Sequence, residues 1–115
     1  MMGSGKSSIG SLIAKRLKLN FIDIDKEIEK ELGASIKKIF KTKGENYFRK
    51  YEEKITLKKL KLNSVVISLG GGAFANKNIR KEVLKDNLSF WLNWNENILL
   101  NRIKKRSNLN RILEI

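Results

Sequence analysis

The string Gly3-Ser4-Gly5-Lys6-Ser7-Ser8 places a lysine and two hydroxyls behind paired glycines. The full signature Gly-x-x-x-x-Gly-Lys-Ser/Thr binds nucleotide phosphates because backbone N–H groups wrap the β-phosphate at a helix N-terminus. Its lysine reaches the β- and γ-phosphates, and its hydroxyl coordinates Mg²⁺. Gly5-Lys6-Ser7 supplies the second half of that signature, whose first glycine would fall one residue before Met1. Taken alone, the string also reads as a flexible loop. Its chemistry in context is phosphoryl transfer from ATP, with Ser7 a candidate metal ligand.

Three further groups could complete such a site. Asp23 and Asp25 alternate with apolar neighbours in Phe21-Ile22-Asp23-Ile24-Asp25, a period of two that sets both carboxylates on one side of a strand. One carboxylate beside Mg²⁺ and one beside an acceptor hydroxyl would suit phosphoryl transfer; an exposed acidic strand face is the plainer alternative. Arg49 lies within four residues of Glu45, Glu52 and Glu53 and is one of six arginines among 25 basic residues. It is either a helix-surface ion pair or a guanidinium, held by Glu52 or Glu53, that offers its fork to a substrate carboxylate. Gly70-Gly71-Gly72 follows an apolar run. Three successive glycines fit a place where backbone approaches a ligand closely or turns with positive φ.

The elements that must position these groups are legible from periodicity. Ile9, Leu12, Ile13 and Leu17 mark a helical face behind the glycine-rich loop. A strand is expected at Phe21–Asp25, then a helix over Lys26–Leu32 closed by Gly33. Ser35 caps a short helix carrying Ile36, Ile39 and Phe40. Gly44 breaks it, and a longer helix runs over Glu45–Leu60 with Phe48, Tyr51 and Ile55 inward. Val65–Leu69 reads as a buried strand apolar on both faces. Helix Asn76–Lys85, strand Leu88–Trp94 and helix Asn95–Arg106, with Ile98, Leu99 and Ile103 inside, complete the series. Strands alternating with helices predict an α/β fold: a doubly wound parallel sheet of the P-loop NTPase type with helices on both faces.

Composition narrows the class. At 115 residues, with 41% hydrophobic and 32% charged, the chain fits one soluble domain rather than a disordered segment. Cysteine and histidine are absent, which excludes disulfides and thiolate metal sites and leaves proton transfer to carboxylates, lysines or water. The net charge of +13 comes mostly from lysines spread along helices, without the dense basic run or aromatic groove of a nucleic-acid module, so no nucleic-acid partner is expected. A positive field favours anionic small substrates. No apolar run approaches the ~20 residues of a membrane span and no leader is evident, so a cytoplasmic, monomeric protein is expected.

The order Gly-Ser-Gly-Lys-Ser, Phe-Ile-Asp-Ile-Asp, Gly-Glu-Asn-Tyr-Phe-Arg-Lys-Tyr-Glu-Glu and Ile-Ser-Leu-Gly-Gly-Gly-Ala resembles the shikimate kinase family over residues 1 to about 111. The resemblance implies transfer of the ATP γ-phosphoryl group to the 3-hydroxyl of shikimate, in aromatic amino acid biosynthesis, with Mg²⁺ as cofactor. It implies that Gly3, Ser4, Gly5, Lys6, Ser7 and Ser8 bind the ATP phosphates, with Lys6 on the transferring group. Ser7 would hold the metal directly and Asp23 through water. Asp25 would bind the shikimate hydroxyls and orient or deprotonate the acceptor, while Arg49, Gly70, Gly71 and Gly72 complete the acceptor site. Arg102 resembles the family's nucleotide-contacting arginine. Arg111, in Arg111-Ile112-Leu113, stands where the family's lid motif Arg-Pro-Leu-Leu belongs, with Ile112 in place of the proline. A lid over about residues 104–115 is therefore expected, with Arg111 catalytic.

Two other functions are compatible with these residues: another small-metabolite P-loop kinase of gluconate type, and a ligand-binding fragment without turnover. Residues 1–115 read as a single P-loop kinase domain cut short at both ends, lacking its first and last strands. The strands at Phe21–Asp25 and Val65–Leu69 are then expected to have unpaired backbone. Such a chain should be poorly stable and inactive by itself.

Overall fold

The structure, a computed structural model, describes residues 9–86, 88–90, 96–105 and 111–114. Four parallel strands form one sheet in the order β1-β2-β4-β3: β1 Asn20–Asp23, β2 Val65–Ser68, β3 Leu88–Phe90 and β4 Arg111–Glu114. Helices α1 Ile9–Leu17 and α6 Glu96–Lys104 contribute to a core that differs from the one built with α2 Ile24–Leu32, α3 Ile36–Lys43, α4 Glu45–Lys59 and α5 Lys77–Asp86.

The split follows from strand alternation. Val66 and Ile112 are register partners and pack with Ile13, Ala14 and Leu99, whereas their neighbours Ile67 and Leu113 pack with Ile24, Ile28, Phe48, Ile55 and Ile79. A strand buried on both faces must be apolar at every position, and Val65-Val66-Ile67 meets that condition.

Helix ends obey the local signals. Asp23 caps α2, accepting from Lys26 N at 3.2 Å, and Gly33 closes it in the left-handed region at φ 66°. Ser35 Oγ accepts from Lys38 N to start α3, and Gly44, at φ 91°, ends it. The Asn76 carboxamide oxygen accepts from Asn78 N at 2.8 Å and Ile79 N at 3.0 Å, capping α5.

Several expectations need correction. The first strand stops at Asp23; Asp25 sits in the first turn of α2, because the Asp23 cap turns the chain into the helix two residues early. Leu12 and Ile98 are exposed, at 39% and 51%: α1 buries Gly10, Ile13 and Ala14 instead, and α6 buries Leu99. The strand expected at Leu88–Trp94 is seen over Leu88–Phe90, residues 91–95 lying outside the described set.

The largest departure concerns the lid. Residues 106–110 lie outside the described set, but Arg111–Glu114 are a central strand rather than a flap. Ile112 and Leu113 place one apolar side chain in each core, burial that a mobile surface segment would forgo. β2 is consequently paired on both sides, by β1 and by β4, contrary to the expectation of unpaired backbone.

This placement makes a quantitative prediction. Leu113 has 0% exposure, so Leu113→Ala should destabilise the chain by about 2–5 kcal/mol in urea unfolding. A change below ~0.5 kcal/mol, typical of surface positions, would contradict a central β4.

Candidate functional site

In an open parallel α/β sheet, ligands gather at the carboxyl ends of the strands. Asp23, Ser68 and Glu114 stand in one row across that edge. The loop from β2 through Gly70, Gly71 and Gly72 into the 3₁₀ turn Ala73–Ala75 passes in front of α4. An open cleft of about 360 Å³ lies there, lined by Glu45, Arg49, Glu52, Gly72, Ala75 and Asn76.

Arg49 and Glu52 lie one turn apart on α4. Glu52 is 2% exposed, and its Oε1 accepts from Arg49 Nη1 at 2.9 Å. Glu45 Oε2 sits 3.5 Å from Arg49 Nε. The guanidinium carbon lies 5.3 Å from the Phe48 ring centroid and 5.9 Å from that of Phe40, within cation–π range. The hydrogen bond that Arg49 donates to Glu52 raises the Arg49 pKa, so the group stays charged. Of the two acidic partners left open by the sequence, Glu52 holds Arg49. Glu53 faces away, accepting from Asn76 Nδ2 at 2.7 Å.

The glycines are needed for close approach. A Cβ at Gly70 would lie 2.6 Å from Asp25 Oδ1 and 2.8 Å from Glu52 Oε2, and one at Gly72 would lie 2.6 Å from Arg49 Nη1. The site's own charged side chains occupy the space that a side chain here would need. Neither glycine has positive φ, and among the described residues no atom lies within 4 Å of where a Gly71 Cβ would stand.

Asp25 is electrostatically perturbed as well. Burial pushes its carboxyl from 3.8 up to about 6; Asp23, Glu52 and Glu29 add to the rise, and Arg49 opposes it. Desolvation disfavours the ionised form, and neighbouring carboxylates compound the effect. Asp23 and Asp25 are therefore brought together as the sequence suggests, but through a helix cap and first turn rather than strand alternation.

The structure separates the remaining candidates. Gly3, Ser4, Gly5, Lys6, Ser7 and Ser8 lie outside the described residues. Arg102 is exposed on α6, which packs against α1. Arg111 does not join the site. It opens β4 opposite Val65, its Nη1 donating to Leu62 O at 2.9 Å, on the edge of the sheet away from Asp23 and Ser68. Four strand residues put those edges ~10 Å apart.

Glu114 is a residue that sequence reasoning missed. It is 1% exposed, and its Oε2 accepts from Gly10 N, in the first turn of α1, at 3.1 Å. Its Oε1 is buried without a hydrogen-bond partner among the described residues. A carboxylate at a helix N-terminus is favoured by the orphan N–H groups and the dipole there. Asn76 was missed too, because an asparagine at the start of a helix signals only a cap.

A family model described as shikimate kinase matches residues 2–114. The shikimate kinase of Bartonella henselae is 44% identical over 106 residues, covering 92% of this chain and 50% of that protein. That of Sulfurihydrogenibium sp. is 43% identical over 103 residues, covering 90% and 62%. Among solved structures, shikimate kinase from Acinetobacter baumannii in complex with shikimate aligns with a TM-score of 0.71 at 30% identity, covering 85% of this chain and 56% of that one. The Aquifex aeolicus enzyme aligns with a TM-score of 0.61 at 35% identity, covering 98% and 54%. The chain thus spans about half the length of the curated relatives it matches. The expected fold class, α/β with a parallel sheet of the P-loop type, is the fold of these neighbours.

A raised acidic pKa fixes the sign of a pH effect. The folded state holds the Asp25 proton more tightly than the unfolded chain, so the stability this confers is complete below 3.8 and lost as pH rises through about 6. Asp25→Asn removes the ionisation. The variant should melt higher than the parent at pH 8, with the gap closing towards pH 4. Equal melting differences at both pH values would show that Asp25 ionises freely.

Proposed function

The chain belongs to the shikimate kinase family, and from that premise we propose that it serves the transfer of the ATP γ-phosphoryl group to the 3-hydroxyl of shikimate. The observation that carries the reading is the pairing of Arg49, held against Gly72 by the buried Glu52, with a half-buried Asp25 raised to about 6 across Gly70. A small polyhydroxy carboxylate needs a planar cation for its carboxylate and an acid/base group for its hydroxyl. Arg49 lines the cleft, and Asp25 meets its partner Glu52 over the adjoining Gly70, so the two groups stand side by side.

In this mechanism the Arg49 guanidinium binds the shikimate carboxylate, and Asp25 accepts a hydrogen bond from the 3-hydroxyl. That oxygen attacks the γ-phosphorus as the bond from phosphorus to the β–γ bridging oxygen breaks. The hydroxyl proton passes to Asp25 and ADP leaves. A carboxyl poised near 6 is ionised at neutral pH yet more basic than an ordinary aspartate, which favours this acceptance. The Gly70, Gly71 and Gly72 backbone bounds the acceptor, and Gly3–Ser8 bind the phosphates, with Lys6 on the transferring group.

Hard oxygen donors suit Mg²⁺, which binds through one or two protein oxygens plus substrate phosphates. Ser7 and Asp23, at the carboxyl end of β1 with one oxygen committed to Lys26 N, would hold it. When bound, Mg²⁺ neutralises charge on the transferring phosphoryl group. Arg102 is proposed to contact the nucleotide; Arg111 is left out because its guanidinium is bonded at the opposite sheet edge. No helix among the described residues is long and apolar enough to cross a membrane. The setting proposed is the cytoplasm, with a monomer acting on soluble metabolites.

A coupled ADP-release assay with and without shikimate tests the proposal. Shikimate-dependent release is expected from the chain lengthened to match its relatives, residues 1–115 alone being expected inactive, and shikimate binding without release by the lengthened chain would instead support a non-catalytic role. Arg49→Lys keeps the charge but loses the fork, so shikimate KM should rise at least about tenfold while ATP KM changes little. Equal effects on both constants would return Arg49 to a surface ion pair.

A further inference from the structure

Two consecutive glutamates on α4 face different partners. Glu52 turns into the site and holds Arg49. Glu53, ~100° further round the helix, reaches across to the start of α5. Its Oε1 accepts from Asn76 Nδ2 at 2.7 Å and its Oε2 from Asn78 Nδ2 at 3.4 Å. Asn76 is committed at both ends of its carboxamide, since its oxygen caps α5 through Asn78 N and Ile79 N.

Asn76 lies four residues beyond Gly72, and the intervening turn is closed by its own hydrogen bonds. Ala73 N donates to Gly70 O at 3.0 Å, Ala75 N to Gly72 O at 3.2 Å and Asn76 N to Ala73 O at 2.9 Å. From the other side, Arg80 Nη1 donates to Phe74 O and Ala75 O at 3.4 and 3.5 Å. Ala73 is fully buried. Asn76 and Gly72 therefore move as one piece. Opposite them, Arg49 and Glu53 ride on the same helix.

We propose that the Glu53–Asn76 hydrogen bond is a clamp that fixes the separation between Arg49 and the Gly72 backbone and thereby sets affinity for the acceptor carboxylate. The proposal rests on the kinase reading above, and it makes Glu53 and Asn76 positioning residues that need not touch the reacting atoms. The physical case is the small clearance at Gly72. Nη1 stands 2.6 Å from where a Cβ would be, so a shift of a fraction of an ångström changes which guanidinium N–H groups face the cleft. A neutral amide donating to a carboxylate across two elements is a stronger fixing point than a neutral pair. It joins the helix carrying the substrate cation to the loop carrying the glycines.

The test is a reversal of donor and acceptor. Asn76→Asp retains the α5 cap but sets two carboxylates against each other; it should raise shikimate KM about tenfold while ATP KM stays nearly constant. Glu53→Gln, which still accepts from Asn76, should stay close to the parent. The double variant Asn76→Asp with Glu53→Gln restores a bond of opposite polarity, and should return shikimate KM to within about threefold of the parent. The clamp is overturned if Asn76→Asp changes both KM values alike, if it lowers melting temperature without raising shikimate KM, or if the double variant fails to recover. If the parent neither binds nor phosphorylates shikimate, the functional reading fails instead. The clamp is then judged by the Arg49 Nε–H NMR resonance, which should shift in Asn76→Asp and return in the double variant. An unmoved resonance would overturn it.

Discussion

Two carboxylates share one poorly hydrated space over Gly70 and face a single guanidinium. Glu52 is almost wholly buried, and a buried charge stripped of its partner costs roughly 3–5 kcal/mol, so Arg49 is held firmly even though its own side chain is 38% exposed. Asp25 shares the same space without a guanidinium of its own, and its proton affinity rises. Gly70 and Gly72 follow from the same crowding, since a Cβ at either would collide with these side chains. A cation presented to a cleft, a basic carboxylate beside it and a glycine loop between them are consequences of one packing arrangement.

The sheet holds that arrangement in place. β1 ends at the cap that turns Asp25 inward, and β2 ends at the glycines. β4 lies between β2 and β3, filling both cores with Ile112 and Leu113 and setting the Glu114 carboxylate against the start of α1. Leu69 N donates to Glu114 O at 2.9 Å, so the backbone just before Gly70 is tied to the central strand. The site edge is stiffened by parallel pairing on both sides of β2, while the glycine loop beyond it is positioned by α4.

Much of this was legible in the sequence, because short-range chemistry wrote it. Ser35, Gly33 and Gly44 mark helix ends by capping and positive φ, and the apolar Val65–Ile67 run marks a strand buried on both faces. Asp25, Arg49, Gly70 and Gly72 were singled out by residue type and spacing, and the fold brings all four together. What was not legible depended on long-range competition. Strand alternation at Phe21–Asp25 and an Asp23 helix cap are both consistent with the sequence, and tertiary context chose the cap. Arg111-Ile112-Leu113 resembles a lid motif, yet two apolar side chains gain more from central burial, which carries Arg111 to the wrong edge. The choice between Glu52 and Glu53 as partner of Arg49 required the orientation of α4, which periodicity alone did not fix.

The crowding of Asp25 by Asp23, Glu52 and Glu29 shows most directly in its raised proton affinity. Titration of its side-chain carboxyl carbon by ¹³C NMR reads that affinity without needing substrate or turnover. A midpoint near 6 is expected, falling when Glu52→Gln removes one neighbouring charge. A midpoint near 3.8, unmoved by that substitution, would mean that Asp25 is an ordinary exposed aspartate and that the crowded site described above does not exist.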